Sequence, residues 1–304
     1  MRSPLSLSLL ILVSSASLLI CIPSFAADPE TNVTNEQVEE KKVDKHSKYD
    51  YLPQEEVIEI TVGQQQSEIL VKSWSGKKKL GAAILFATPG MGADGAGLNA
   101  YLRRELTRTG WATIAITPPK KVSTPNFATQ PEEVAKAGEG INNQKANEAT
   151  KQYSEEVWKD IREKQTQFVT QTMSQLDAIG APYPGKRLLI TSGQGAGLAI
   201  SMISNNLLPK PDILVLINPY MKMKEENQAL AKMLAQLEVP ILDIQSEDGH
   251  RASYATVKDR AELSPQNAPY RYSQQRLALN LNNETAWNTT LKLIEGFAQR
   301  ISKR

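Results

Sequence analysis

Cysteine and histidine, on which much nucleophilic and metal chemistry rests, are nearly missing from this 304-residue sequence, which holds one and two of them. Cys21 lies inside an N-terminal apolar run. A chain cut after that run keeps no thiol nucleophile, no thiolate metal ligand and no disulfide. Of the two histidines, His46 sits in a polar stretch and only His250 in the globular part, so a neutral-pH general base is confined to one position. Aromatics are 6% of the chain, too few for a base-stacking platform. The formal net charge is +2, which argues for neither nucleic acid nor an anionic membrane surface as partner.

What is present starts with an address. Arg2 precedes an uncharged apolar run from Leu5 to Ile22, and Ser24-Phe25-Ala26 supplies a small-x-small pattern. That anatomy is a secretory signal peptide over 1–26, cut after Ala26. The expected location is periplasmic or secreted, with no membrane span after cleavage. Bulky Ile20 before Cys21 argues against a lipoprotein site. Residues 27–50 are polar and charged with few large apolar groups. They read as a disordered tether, because they cannot bury enough surface to offset ordering. Residues 51–304 then form one domain, interrupted at 118–152 by a polar, Pro- and Lys-containing excursion or lid.

Within that domain, Val57–Val62 and Ser67–Trp74 alternate around Gly63 and predict an antiparallel hairpin. Gly81–Thr88, Trp111–Thr117, Arg187–Thr191, Ile213–Ile217 and Val239–Ile244 are nearly continuous apolar runs, the mark of central parallel strands. Helical periodicity falls between them at 98–108, 157–179, 196–208 and 225–237. A last strand over 270–279 precedes a helix carrying Trp287, Leu291, Ile294, Phe297 and Ile301. The fold class is therefore α/β: a doubly wound, mostly parallel sheet of about eight strands with an N-terminal antiparallel hairpin.

The strand ending at Thr191 leads into Ser192-Gly193-Gln194-Gly195-Ala196-Gly197 and then a helix. This resembles the G-x-S-x-G nucleophile elbow of α/β hydrolases, with Gly195 at the central, positive-φ position in place of serine. More narrowly, Tyr51-Leu52-Pro53, Pro89-Gly90-Met91-Gly92, the elbow and Pro240-Ile241-Leu242-Asp243 resemble an uncharacterised bacterial family of exported α/β-hydrolase-type domains of unknown function. The resemblance implies the hydrolase fold but carries no activity with it. It places the acid of a triad after the 239–244 strand, where Ser246, Asp248 and His250 stand. It places the histidine after the last strand, where 279–283 has none.

Backbone amides of Gly90, Met91 and Gly92, with those of Gly193 to Gly197, form either an anion nest or a plain tight turn. Neither glycine cluster completes a P-loop or a dinucleotide fingerprint. No cofactor or metal is expected, since two oxygen ligands and one imidazole without cysteine make a weak set. One reading is a non-catalytic protein binding a small molecule or a protein partner in the cell envelope. A second is an esterase-like hydrolase with rearranged groups, Ser192 or Ser246 as nucleophile with Asp248 and His250. A third is an interaction protein acting through 118–152.

Overall fold

Apolar runs without polar interruption must be covered on both faces, and the sheet is built around them. The computed structural model describes residues 48–123, 153–267 and 271–302. The signal and tether readings over 1–47, and most of the 118–152 excursion, lie outside the described residues. Strands β1 (Val57–Val62) and β2 (Gln65–Lys72) form the hairpin, and β3 (Gly81–Phe86), β4 (Trp111–Ile116), β5 (Lys186–Ser192), β6 (Ile213–Ile217), β7 (Ile241–Ser246) and β8 (Tyr272–Leu277) follow. Their order across the sheet is β1-β2-β4-β3-β5-β6-β7-β8. The β1–β2 and β2–β4 pairs are antiparallel, and every pair from β4 to β8 is parallel. This is the architecture expected from the sequence.

Among the described residues seven α-helices flank the strands: α1 (Leu98–Thr109), α2 (Glu155–Ser174), α3 (Leu176–Gly180), α4 (Gly193–Ser204), α5 (Lys224–Ala235), α6 (Arg251–Asn267) and, after the last strand, α7 (Glu284–Ser302). Neighbouring residues of a strand point to opposite faces, so Leu188 and Leu189 enter different cores. Leu189, Leu214 and Leu216 pack with Val169 of α2, Leu198 of α4 and Leu230 of α5. Leu188, Val215 and Leu242 pack with Leu102 of α1 and Ile294 of α7 on the other side. The single helix predicted over 157–179 is divided at Gln175 into α2 and α3.

Helix α6 was not among the helices predicted from apolar spacing, and its packing explains why. Its buried positions include Ser253, Thr256, Arg260 and Ser264, a helical stripe that is polar. Arg260 is fully buried and donates from Nε to Asp243 Oδ2 at 2.8 Å and from Nη2 to Gln245 Oε1 at 3.2 Å. Tyr272 Oη donates to the same Asp243 oxygen at 2.7 Å. The helix is thus tied to β7 and β8 by a desolvated ion pair rather than by an apolar face.

The first described residues belong to the domain. Tyr49, assigned to the tether from sequence, is 2% exposed and packs in the core on the α1 and α7 side. Its hydroxyl accepts the Ala93 N–H at 2.7 Å. Nearby, buried Arg103 of α1 donates to Glu56 Oε2 at 2.6 Å and to Asp94 Oδ1 at 2.7 Å. These contacts fix the loop between β3 and α1, which forms one wall of the site.

Candidate functional site at the β5–α4 elbow

Parallel strands end on one edge, and α/β sheets place their ligand sites there. At that edge β5 stops at Ser192, still extended at φ −131° and ψ 152°, and α4 begins at Gly193. Gly193 takes φ +54°, the left-handed region that side chains other than glycine resist. Gly195, expected from the motif to be the strained central residue, lies inside α4 and has no such φ. The apex of the turn is therefore two residues earlier. Gly195 and Gly197 serve close packing instead. A Cβ on Gly195 would stand 2.6 Å from the Ala87 carbonyl oxygen, and one on Gly197 would stand 2.2 Å from that of Tyr220.

The space beside the apex is taken. A Cβ on Gly193 would meet Thr88 Oγ1 at 2.5 Å. That hydroxyl donates to the Ser192 carbonyl at 3.1 Å. The Gly193 carbonyl in turn accepts the Tyr220 N–H at 3.2 Å. On the opposite wall, the Gly90 amide donates to the Pro119 carbonyl and the Met91 amide to the Thr88 carbonyl, both at 3.1 Å. The Met91 amide closes a tight turn and the Gly90 amide is bound to the chain leaving β4, so neither is available to an anion. Gly92 abuts Lys48 Nζ and Tyr49 Oη, which a Cβ would approach to 2.8 and 2.9 Å. At the helix end, Gln194 and Ala196 are buried, and the first-turn amides of α4 have no helical carbonyl to bond.

The loop after β7 brings two of the three candidate groups together. Ser246 Oγ donates to Asp248 Oδ1 at 2.6 Å and accepts from Asn218 Nδ2 at 2.7 Å. Ser246 is 1% exposed, which puts its hydroxyl out of a substrate's reach. Asp248 Oδ2 accepts the backbone N–H of Leu281 at 2.9 Å. His250 goes elsewhere. Its Nδ1 accepts the Ala252 N–H at 3.1 Å at the start of α6, and its ring stacks on Tyr220 with centroids 4.2 Å apart and planes 14° apart. Among the described residues it forms no hydrogen bond with Ser246 or Asp248.

Between these walls lies a cavity of about 530 Å³. Phe86, Leu98, Leu102, Ile190, Ile217 and Trp287 give it an apolar interior, and Thr88, Ser192, Asn218, Tyr220, His250 and Asn282 supply polar points. Among the described residues no lysine or arginine lines it, and Asp248 is the one carboxylate that does. Burial pushes the Tyr220 hydroxyl above its ordinary pKa, so at neutral pH it is a donor.

A family profile matches residues 4–300 and is described as a protein of unknown function, DUF3530. The chain belongs to the DUF3530 family. No curated protein matches it. Among solved structures it is similar to an alpha-beta serine hydrolase homologue from Coxiella burnetii, at 14% identity and a TM-score of 0.51 over 81% of this chain and 98% of that one. It is also similar to a dienelactone hydrolase from Anabaena variabilis, at 14% identity and a TM-score of 0.52 over 80% of this chain and 96% of that one. At such identities the likeness shows the α/β-hydrolase fold and nothing finer.

In this DUF3530 chain the hydrolase scaffold carries a different set of contacts. Nucleophilic catalysis needs an attacking group, a base in contact with it and a partner orienting the base. Here the apex carries no side chain. Both Asp248 oxygens have donors, and the loop after β8 meets Asp248 through a backbone amide. Thr88, Asn218 and Tyr220 shape the site and were not predicted as site residues, and Trp287, which also lines it, was read from sequence only as part of the apolar face of the last helix. Asn218 alone left a sign: a lone asparagine directly after the all-apolar β6, here at φ +50°, a conformation asparagine tolerates better than most residues.

Proposed function

We propose that this DUF3530 chain is a non-catalytic binding protein of the cell envelope, exported by its N-terminal segment. In this reading the elbow cavity holds a small, uncharged, largely apolar molecule bearing a carbonyl or hydroxyl. The observation that carries the reading is the apex itself: glycine at φ +54°, with Thr88 Oγ1 filling the place from which an attacking side chain would project. The described lining, which holds no lysine or arginine, supports an uncharged ligand. The first-turn amides of α4 and the Tyr220 hydroxyl are donors suited to an oxygen acceptor.

Ser192 is the residue that tests this. It lines the cavity one position before the apex, and in the esterase-like alternative it would be the nucleophile. The full chain, purified from the envelope fraction, is treated with a fluorophosphonate probe at neutral pH. The expected outcome is no covalent adduct by intact mass. Labelling that disappears in Ser192→Ala overturns the non-catalytic reading. Recovery of the unprocessed chain from the cytosol alone overturns the location.

A further inference from the structure

A second cavity, of about 600 Å³, opens between the start of β2, the chain leaving β4 and one face of α2. Both volumes fall in the range of about 300–1,000 Å³ typical of small-molecule sites. Val157, Ile161, Gln165 and Phe168 of α2 line it, a stripe at helical spacing. Pro118 and Pro119 face them, so most of the wall is apolar.

Two buried polar side chains in that wall each hold one atom without a hydrogen-bond partner among the described residues. Gln165 is 5% exposed and Ser67 9% exposed, and among the described residues neither Gln165 Nε2 nor Ser67 Oγ makes a hydrogen bond. The orientation of the amide follows from chemistry. Arg162 Nη1 lies 2.9 Å from Gln165 Oε1, and a guanidinium can only donate. The oxygen must face Arg162, which leaves the NH₂ group as an unused donor. A buried donor without an acceptor is costly and calls for a partner.

Among the described residues the charge lining the cavity has one sign: Lys120, Lys121 and Lys164 line it, and no described aspartate or glutamate does. Lys164 is engaged by Asp160 at 2.7 Å. Lys120 and Lys121 are exposed, and among the described residues neither forms an ion pair. The described lining of the elbow cavity, by contrast, has no lysine or arginine.

We propose that this second cavity is a binding site for an amphipathic carboxylate, an acyl chain ending in an anionic head. The head accepts from Gln165 Nε2 and Ser67 Oγ within the field of Lys120 and Lys121. The chain lies against Ile161, Phe168 and the two prolines. The site is separate from the elbow and does not depend on the function proposed for it.

The test is isothermal titration calorimetry of the full chain with decanoate, and with decanol as the same chain without charge. Saturable one-to-one binding of decanoate is expected, with decanol at least about tenfold weaker, a difference of about 1.4 kcal/mol. Gln165→Leu should weaken decanoate at least about tenfold while the chain stays folded, because it removes a buried unpaired donor along with one acceptor of Arg162, which keeps its bonds to Glu226. Lys121→Glu, a surface change that leaves folding intact, should weaken it as well. No binding, equal binding of decanol, or unchanged decanoate binding in Gln165→Leu and Lys121→Glu overturns the proposal. The last of these would place decanoate elsewhere, as in the elbow cavity.

Discussion

Alanine substitution along the elbow separates a strained apex from glycines needed for packing. Helix propensity alone makes Gly→Ala favourable by about 1 kcal/mol in a helix interior. At Gly193, left-handed φ costs alanine about 1–2 kcal/mol. The new Cβ also meets Thr88 Oγ1 at 2.5 Å. Thr88 is a side chain and can rotate away, but its bond to the Ser192 carbonyl is then lost, at about 1 kcal/mol. The sum is about 2–3 kcal/mol, or roughly 5–10 °C in Tm for a domain of this size. At Gly195 the obstacle is the Ala87 carbonyl at 2.6 Å, and at Gly197 that of Tyr220 at 2.2 Å. Backbone cannot rotate aside, so both substitutions destabilise despite propensity, Gly197→Ala the most, above about 4 kcal/mol. The deciding comparison is a double-mutant cycle with Thr88→Ala, read by urea denaturation. Thr88→Ala should recover about 1 kcal/mol of the Gly193→Ala loss, while with Gly195→Ala it should add within about 0.5 kcal/mol. If Gly193→Ala is neutral, or if Thr88 couples to Gly195 instead, the apex is misplaced and the argument for an inert elbow fails with it.

How far the sequence could be read depended on which kind of residue faces inward. Strand β6 is buried at every position, and its uninterrupted Ile-Leu-Val-Leu-Ile stated as much. The elbow was legible as a place and not in register. Gly193, Gly195 and Gly197 alternate, so a motif reading can settle on any of them, and only the backbone dihedral separates the strained one. Helix α6 was illegible because its inward stripe holds Ser253, Thr256, Arg260 and Ser264, which apolar periodicity scores as exposed. The stripe makes sense once Asp243 and Gln245 of β7 are opposite it, a pairing across the fold that no local window contains. From sequence Asp248 was read as the acid of a rearranged triad. Its partners are Ser246 Oγ and the Leu281 backbone amide, and every residue but proline has a backbone N–H, so the sequence after β8 carries no sign of the second contact.

Three further outcomes follow from named contacts. Arg260→Leu leaves Asp243 charged, buried and short of its ion-pair partner, and should cost about 3–5 kcal/mol by urea denaturation; a loss under 1 kcal/mol would mean that the pair does not hold α6. Ser246→Ala removes the acceptor for Asn218 Nδ2 and a donor to Asp248, and should cost about 1–3 kcal/mol while leaving any fluorophosphonate reactivity unchanged. The last concerns acid. Burial alone would raise the Glu56 carboxyl, but the hydrogen bonds and charges of Lys72 and Arg103 outweigh it and hold the group below its ordinary pKa. A folded-state pKa below the unfolded one means that the ionised carboxylate adds stability, in full above the unfolded value near pH 4.3. That contribution is lost as pH falls through the depressed folded value. The stability advantage of the wild type over Glu56→Gln should therefore be constant from about pH 7 to 5 and shrink on further acidification. An advantage that stayed level down to about pH 2 would show that Glu56 contributes through shape and hydrogen bonding common to glutamine, and that the charge cluster around Arg103 does not set the acid stability of the loop between β3 and α1.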